Sequence, residues 1–150
     1  MEGSFNGIYR HTLDAKGRLS VPSRFRDILG SRFMIGEGTD DCLLIYTMDD
    51  WKLFMDKLKS LPTNTNEDAI ELIRYYGSRT LEVEIDRQGR IILPQQLRKA
   101  AGIDRNVVFV GRIDRAELWD EAAFDAHEAA VTKKDIKAAA KRLFESGYQF

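Results

Sequence analysis

The chain of 150 residues is 43% hydrophobic, 10% aromatic and 31% charged, the composition of an ordinary globular protein with one domain or two small ones. This composition excludes intrinsic disorder and collagen-like repeats, and no apolar run approaches the roughly 18 residues that a membrane helix needs. A net charge of −1 argues against a surface that is basic throughout, and the single cysteine cannot form an internal disulfide.

The first predicted elements are a strand, a tight turn and a second strand. Residues 8–13 are interpreted as the first strand. In the turn Asp14-x-x-Gly17, the carboxylate can accept hydrogen bonds from the backbone ahead of it, and the glycine can take a positive φ. The chain therefore reverses into a second strand over residues 18–21.

A short helix and two more strands complete this unit. Pro22 suits the first turn of a helix, and Gly30 is expected to end that helix after about two turns. The apolar runs 33–35 and 42–46 predict strands. Cys42 lies in the second run, which favours a buried, inert thiol over a catalytic nucleophile. Two helices follow, over residues 48–59 and 67–76, on either side of a break at Pro62.

The unit then occurs again, because residues 86–102 match residues 14–30 at an offset of 72 without a gap. The identical pairs are Asp14/Asp86, Gly17/Gly89, Arg18/Arg90, Pro22/Pro94, Arg26/Arg98 and Gly30/Gly102. Copy two predicts strands over residues 81–85, 90–93, 107–110 and 117–119, with a short helix between the second and third. Helices over residues 120–131 and 132–145 follow, the latter opened by the cap signal Thr132-x-x-Asp135.

The repeat predicts how the chain is organised. We expect a first repeat with its following helix at residues 5–58, a connecting helical region at 59–78, a second repeat at 79–125 and a C-terminal helical extension at 126–150. Net charge follows the repeat, with +3 over residues 1–36, −6 over 37–73, +4 over 74–115 and −2 over 116–150. Each copy therefore has a basic front half and an acidic back half.

The basic residues of each front half cluster around its turn. They are Arg10, Lys16, Arg18, Arg24 and Arg26 in copy one, and Arg87, Arg90, Arg98 and Lys99 in copy two. A guanidinium group is a planar fork of donors that suits phosphate oxygens and the O6/N7 edge of guanine, so nucleic acid is the natural target. The alternative is that Arg18 and Arg90 only pair with the aspartates of their own turns and fasten them.

No catalytic or cofactor site is predicted. The two histidines, His11 and His127, lie in different copies and have no cysteine or carboxylate at metal-ligand spacing, and no phosphate-binding loop is present. His11 and Asp14 are conceivable as a general acid/base pair, but copy two has Val83 in place of the histidine. We therefore expect no enzyme, cofactor, metal ion or small-molecule substrate.

These motifs resemble a known family. Gly7-Ile8-x-Arg10 and Asp14-x-x-Gly17-Arg18, with the apolar triplet to Pro22, are similar to the DNA-binding unit of AbrB-type swapped-hairpin proteins. The tandem arrangement over about residues 5–125 resembles the MraZ family. The motifs that carry this second resemblance are the segment 13–22, the run 42–46 followed by Trp51, Asp86-x-x-Gly89-Arg90, and Val110-Gly111 followed by residues 117–120.

The resemblance implies an α+β fold, namely an intramolecular swapped-hairpin β-barrel built from two AbrB-like β-β-α-β-β repeats with additional connecting and C-terminal helices. It also implies a cytoplasmic, nucleoid-associated DNA-binding regulator that represses its own division and cell-wall operon. The implied partners are further copies of the chain, closed into a ring, and double-stranded promoter DNA with short direct repeats. No membrane partner is expected.

Site residues also carry over by position. Arg18 and Arg90 take the DNA-contacting arginine positions, and Lys16 takes that of the loop lysine. The complete predicted DNA-binding set is Arg10, Lys16, Arg18, Arg26, Arg87, Arg90 and Arg98. Three positions depart from the pattern: Asn6 replaces an arginine usual in the family, Gln88 occupies the site of Lys16, and Glu82 that of Arg10. We therefore expect weaker phosphate contacts from copy two.

Two other classes of function stay open at this point. One is an oligomeric scaffold that docks acidic protein partners through the basic turns, and the other is a small hydrolase that uses the histidine and aspartate of copy one. Steep salt dependence of binding to duplex DNA would separate a DNA-binding regulator from both.

Overall fold

The computed structural model describes residues 3–150, and the secondary structure within that range follows the repeat. The first repeat contains β1 (Ile8–Thr12), β2 (Arg18–Ser20), α1 (Ser23–Leu29), β3 (Arg32–Glu37), β4 (Leu43–Thr47) and α2 (Met48–Lys59), and α3 (Glu67–Arg79) leads out of it. The second contains β5 (Thr80–Glu84), β6 (Arg90–Ile92), α4 (Gln95–Ala100), β7 (Asn106–Gly111), β8 (Ala116–Asp120), α5 (Glu121–Ala130) and α6 (Lys133–Glu145). The predicted order of elements is confirmed.

Local sequence signals explain where the helices begin. Four longer helices start after a residue whose side-chain oxygen accepts a hydrogen bond from the backbone of the first turn, as N-cap residues do. These residues are Thr47, Asn66, Asp120 and Thr132. The two short helices start at the predicted places, but Pro22 and Pro94 are their N-cap residues and precede the first turn rather than lying within it. None of the helices within residues 3–150 is long and apolar enough to cross a membrane.

Six strands form one antiparallel sheet in the order β1-β7-β8-β4-β3-β5. Each repeat contributes one hairpin, β3–β4 from the first and β7–β8 from the second. The outer neighbour of each hairpin comes from the other repeat: β1 pairs with β7, with Ile8 opposite Val110, and β5 pairs with β3, with Val83 opposite Phe33. The two hairpins meet where β4 pairs with β8. The remaining strands, β2 and β6, pair only with each other and form a separate two-stranded ribbon.

The α+β class is thus confirmed, whereas the sheet is not a closed one. Within the described residues, β1 and β5 are its two edges, and each is paired on one side. The ribbon of β2 and β6 covers one face of this sheet, because Leu19 and Ile91 on the ribbon are fully buried in the main hydrophobic core.

Strand β4 is apolar at consecutive positions because it is covered on both faces. Leu43 and Ile45 belong to the main core beneath the ribbon, while Leu44 and Tyr46 belong to a second cluster under the helices, with Trp51, Trp119 and Phe124. Cys42 is buried in this second cluster, and burial raises the pKa of its thiol to about 12. The predicted burial of this thiol is confirmed.

Candidate nucleic-acid interface

The two turns have the same backbone structure. In turn one (residues 14–17), Asp14 Oδ1 accepts hydrogen bonds from the backbone N–H groups of Lys16 at 2.9 Å and Arg18 at 2.8 Å. In turn two (residues 86–89), the corresponding aspartate accepts from residues 88 and 90 at 2.8 and 3.0 Å. The final glycine of each turn has a φ near +78°, which a residue with a side chain rarely adopts.

The ribbon brings both turns to one surface. In its register Arg18 lies opposite Ile92, and Ser20 lies opposite Arg90. Because neighbouring side chains on a strand point to opposite faces, these four residues share the face away from the core, which we call the ribbon face. With a rise of about 3.3 Å per residue and about 5 Å between strands, the Cα atoms of the two arginines are about 8 Å apart.

Backbone hydrogen bonds fix the turns to the ribbon across the repeat boundary. The N–H of Val21 donates to the carbonyl of Gly89 at 2.9 Å, and the N–H of Leu93 donates to the carbonyl of Gly17 at the same distance. Each turn is therefore held by the strand end of the other repeat. This arrangement makes the spacing between the two arginines a property of both repeats together.

Each ribbon arginine also pairs with the aspartate of its turn, the alternative that the sequence left open. The Nε of Arg18 lies 2.5 Å from Asp14 Oδ2, and the equivalent distance from Arg90 to Asp86 is 3.4 Å. Hydrogen bonds from the Arg18 backbone and guanidinium group lower the pKa of Asp14 to about 2, and hydrogen bonds from the backbone of residue 90 likewise lower the pKa of Asp86. The pairs hold the arginines in a defined orientation.

This pairing leaves most of the Arg18 fork available. Within residues 3–150, the hydrogen bonds of its side chain involve Nε and not the two terminal nitrogens. Arg90 differs, because its Nη2 donates to the side chain of Gln88. Fastening a turn and contacting a ligand are therefore compatible roles for Arg18, and Arg90 has fewer unengaged donors.

The helix arginines of the two repeats occupy different environments. The guanidinium group of Arg26, on α1, lies directly over Gly89 of turn two, where a Cβ atom would collide with it. Its Nε is buried and has no hydrogen-bond partner within the described residues. Arg98, on α4, lines a small cleft beside Asp14 and donates its Nε to the carbonyl of Ile103 at 3.2 Å. A second guanidinium nitrogen of Arg98 donates to the next carbonyl, that of residue 104.

Five of the seven predicted DNA-binding residues belong to the turns and the ribbon, and the other two, Arg10 and Arg98, have side chains engaged by other parts of the protein. Five lie at the turns, the ribbon or directly over a turn, namely Lys16, Arg18, Arg26, Arg87 and Arg90. Arg10 lies apart, on β1, where it forms ion pairs of 3.3 Å with Glu121 and 2.9 Å with Asp125 of α5. Arg98 lies beside turn one, with its donors used by backbone carbonyls. Sequence position alone could not separate these groups.

Both histidines pack against aromatic side chains. The His11 ring lies edge-on against Phe109 at 5.6 Å between centroids, and burial lowers its pKa. His127 packs against Trp119 at 5.2 Å. Asp14, the proposed partner of His11, is engaged by the backbone of its own turn and by Arg18. The hydrolase alternative finds no support in this geometry. Residues 3–150 hold no group of three or more potential metal ligands.

Fold and site define a tandem-repeat α+β protein whose repeats exchange strands and present two arginines on a shared ribbon. A family model described as "MraZ protein, putative antitoxin-like" matches the chain twice, over residues 4–72 and 78–146. The chain belongs to the MraZ family. The second match runs through α6, beyond the motifs that carry the resemblance in the sequence.

Individual relatives agree with this assignment. Three examples, each named "Transcriptional regulator MraZ", follow. The protein from Alkaliphilus metalliredigens is 50% identical over 115 residues, which are 77% of this chain and 80% of the relative. Those from Clostridium beijerinckii and Desulfitobacterium hafniense are 39% and 42% identical over 143 residues, which are 95% of this chain and 99% of each relative.

Proposed function

We propose that this protein is a sequence-specific DNA-binding regulator of transcription that reads duplex DNA with its ribbon face. The observation that carries the proposal is the pair of oriented arginines, about 8 Å apart on one exposed face. The names of the curated relatives support regulation of transcription. A regulator of this kind acts in the cytoplasm, associated with the nucleoid.

The roles within the interface follow from the chemistry of each residue. The terminal nitrogens of Arg18 match the O6 and N7 acceptors of a guanine, so this residue reads a base edge. Lys16, Arg87 and Arg26 supply phosphate contacts, which position the protein without reading sequence. Arg90 makes a weaker contact with a base or a phosphate, because Gln88 engages part of its guanidinium group.

We propose further that the protein represses its own division and cell-wall operon as a ring of several copies, each a swapped-hairpin unit. A net charge of −1 provides little nonspecific attraction to DNA, so one ribbon face binds weakly and several must act together. Head-to-tail copies in a ring present the same face repeatedly. Duplex DNA presents the same groove face about every 10 bp, which favours short direct repeats at that spacing.

A gel-shift series with the DNA upstream of this protein's own gene tests the proposal. Duplexes with one, two or three repeats are compared, and a half-turn insertion of about 5 bp is placed between two repeats. Affinity is expected to rise steeply with repeat number, to collapse with the insertion and to fall steeply with salt. Equal affinity for one repeat and three, or indifference to the insertion, rules out the ring reader. Absence of salt-dependent duplex binding rules out DNA recognition altogether and favours a scaffold for acidic proteins.

A further inference from the structure

Helix α6 presents an apolar stripe that is not buried by any other part of residues 3–150. The helix is well capped, since Thr132 and Asp135 form a reciprocal capping box, yet none of its residues is buried. Ile136 and Leu143 are 60% and 45% exposed, and with Ala140 they share one face at spacings of four and three residues. A helix of this length is only marginally stable without packing, so the stripe calls for a partner.

A row of lysines runs beside this stripe. Lys133, Lys137 and Lys141 are four residues apart, which places them one above another along the helix. All three are exposed. The partner of α6 must therefore offer an apolar surface and acidic groups along one side of it.

A cleft of about 630 Å³ beside α5 has these two properties. Trp119, Ala123, Ala126 and His127 line it on one side, and its acidic residues are Asp40, Asp41 and Glu117. Glu117 is already engaged by the indole N–H of Trp119 and by Arg112, so the charge available to a partner is that of the two aspartates. Asp40 and Asp41 come from the loop between β3 and β4, are exposed, and take part in no salt bridge within residues 3–150. The cleft thus combines an acidic rim with apolar side chains.

The first repeat shows how such a surface is covered. There the seven residues 60–66 connect α2 to α3, and α3 folds back so that Tyr76 packs edge-on against Phe54 at 5.0 Å. Phe54 in turn stacks on Tyr46, which occupies the position of Trp119 in the second repeat. In the second repeat only Val131 and Thr132 separate α5 from α6. No residue of α6 is buried, and Trp119 packs instead against Phe124 and His127 of α5.

We infer that the cleft beside Trp119 is the docking site for α6 of a second copy of this chain. Two observations select this occupant: the basic row of α6 complements the acidic rim of the cleft, and the two-residue link keeps α6 from folding back as α3 does. When each copy gives its helix to one neighbour and receives the helix of another, the contact is head-to-tail and continues from copy to copy. The inference rests on one part of the proposed function, the assembly of several copies. Recognition of DNA by a single copy does not depend on the inference.

A charge-exchange experiment on the full chain tests this contact. One variant reverses the cleft with Asp40→Lys and Asp41→Lys, and the other reverses the helix with Lys137→Glu and Lys141→Glu. In each variant alone, the helix and the cleft carry charge of the same sign and repel each other. Each variant is therefore expected to sediment as smaller species, down to the 17.2 kDa monomer. Mixed in equal amounts, each helix meets a cleft of opposite charge in the other variant, and large assemblies are expected to return.

The control variant carries Lys52→Glu and Lys59→Glu on the exposed side of α2 and is expected to assemble like the unmodified protein. Unchanged assembly of either reversed variant, a monomeric unmodified chain, or failure of the mixture to recover overturns the inference. The last result would point to docking within one chain.

Binding of each variant to a duplex with a single repeat is measured in parallel. Normal single-repeat binding with lost assembly supports the contact and leaves DNA recognition intact. If the proteins assemble in the charge-dependent way described but the unmodified protein does not bind DNA, the proposed function is overturned and this inference stands. If the helix variant assembles normally but no longer binds DNA, the lysine row contacts DNA, and the inferred docking of α6 is overturned.

Discussion

Turn one and turn two have the same backbone conformation but different cations around it. At turn one the cations are Lys16 and Arg18, both from the first repeat, and the nearby Arg98 is bound to backbone carbonyls. At turn two Gln88 replaces the lysine, the turn's own cations are Arg87 and Arg90, and Arg26 of the first repeat lies over Gly89. Because the repeats exchange strands, each turn has an arginine of the other repeat beside it. A weaker second turn therefore cannot be inferred from its own residues alone.

Separating the two repeats is expected to have the largest effect. Residues 1–60 lack β5, β6 and β7, the exchanged partners of β3, β2 and β1, and a fragment of this size buries too little apolar surface to fold alone. We expect this fragment to be unfolded or to dimerise, as judged by circular dichroism and sedimentation. A monomeric fragment with a cooperative melting transition would contradict the mutual dependence of the repeats.

Arg18→Ala and Arg90→Ala compare the two ribbon arginines. A bidentate contact to a base contributes about 1–3 kcal/mol, so loss of Arg18 is expected to weaken specific binding by about 5-fold to 150-fold for each copy that contacts DNA. The effect of Arg90→Ala is expected to be smaller because Gln88 engages its fork. Arg74→Ala on the exposed side of α3 removes one charge away from the ribbon and serves as the control. Fluorescence anisotropy measures affinity, and circular dichroism verifies the fold; normal binding by the Arg18 variant would refute its role.

The helix arginines provide a finer comparison. Arg26→Ala is expected to weaken DNA binding a few-fold and to reduce the salt slope by about one, as loss of one phosphate contact does. Arg98→Ala is expected to leave affinity nearly unchanged and to lower stability by about 1 kcal/mol, because it removes hydrogen bonds to two carbonyls. Urea unfolding and binding titrations at several salt concentrations separate the two outcomes. Equal effects on affinity would show that the difference in environment is irrelevant.

The smallest expected effect is the acid sensitivity of the turns. The pKa of Asp14 falls from 3.8 to about 2 in the folded protein, so its carboxylate stabilises the fold above about pH 4, and this contribution is lost as the pH falls towards 2. Asp14→Asn should flatten the pH dependence of the free energy of unfolding in this window. Asp86→Asn should do so less, because its arginine is 3.4 Å away rather than 2.5 Å. Urea denaturation at a series of pH values measures both, and an unchanged profile for Asp14→Asn would refute the assignment.

The sequence by itself determined the local structure and the repeat. The Asp-x-x-Gly turns, the helices after Pro22 and Pro94 and the buried run containing Cys42 all follow from short segments, because a few neighbouring residues settle hydrogen bonding and φ there. The offset of 72 likewise indicated two equivalent basic turns before their relative position was known.

Only the tertiary structure decided which arginines lie at which turn and how the strands join. Arg26 lies over the turn of the other repeat, and Arg10 pairs with α5, more than 100 residues away in sequence. The sheet is open at β1 and β5. These features depend on how strands exchange between the repeats, and residues 14–30 and 86–102, being similar in sequence, carry no local signal of which copy they will contact. Packing of the shared core selects the pairing, and with it the environment of every cation.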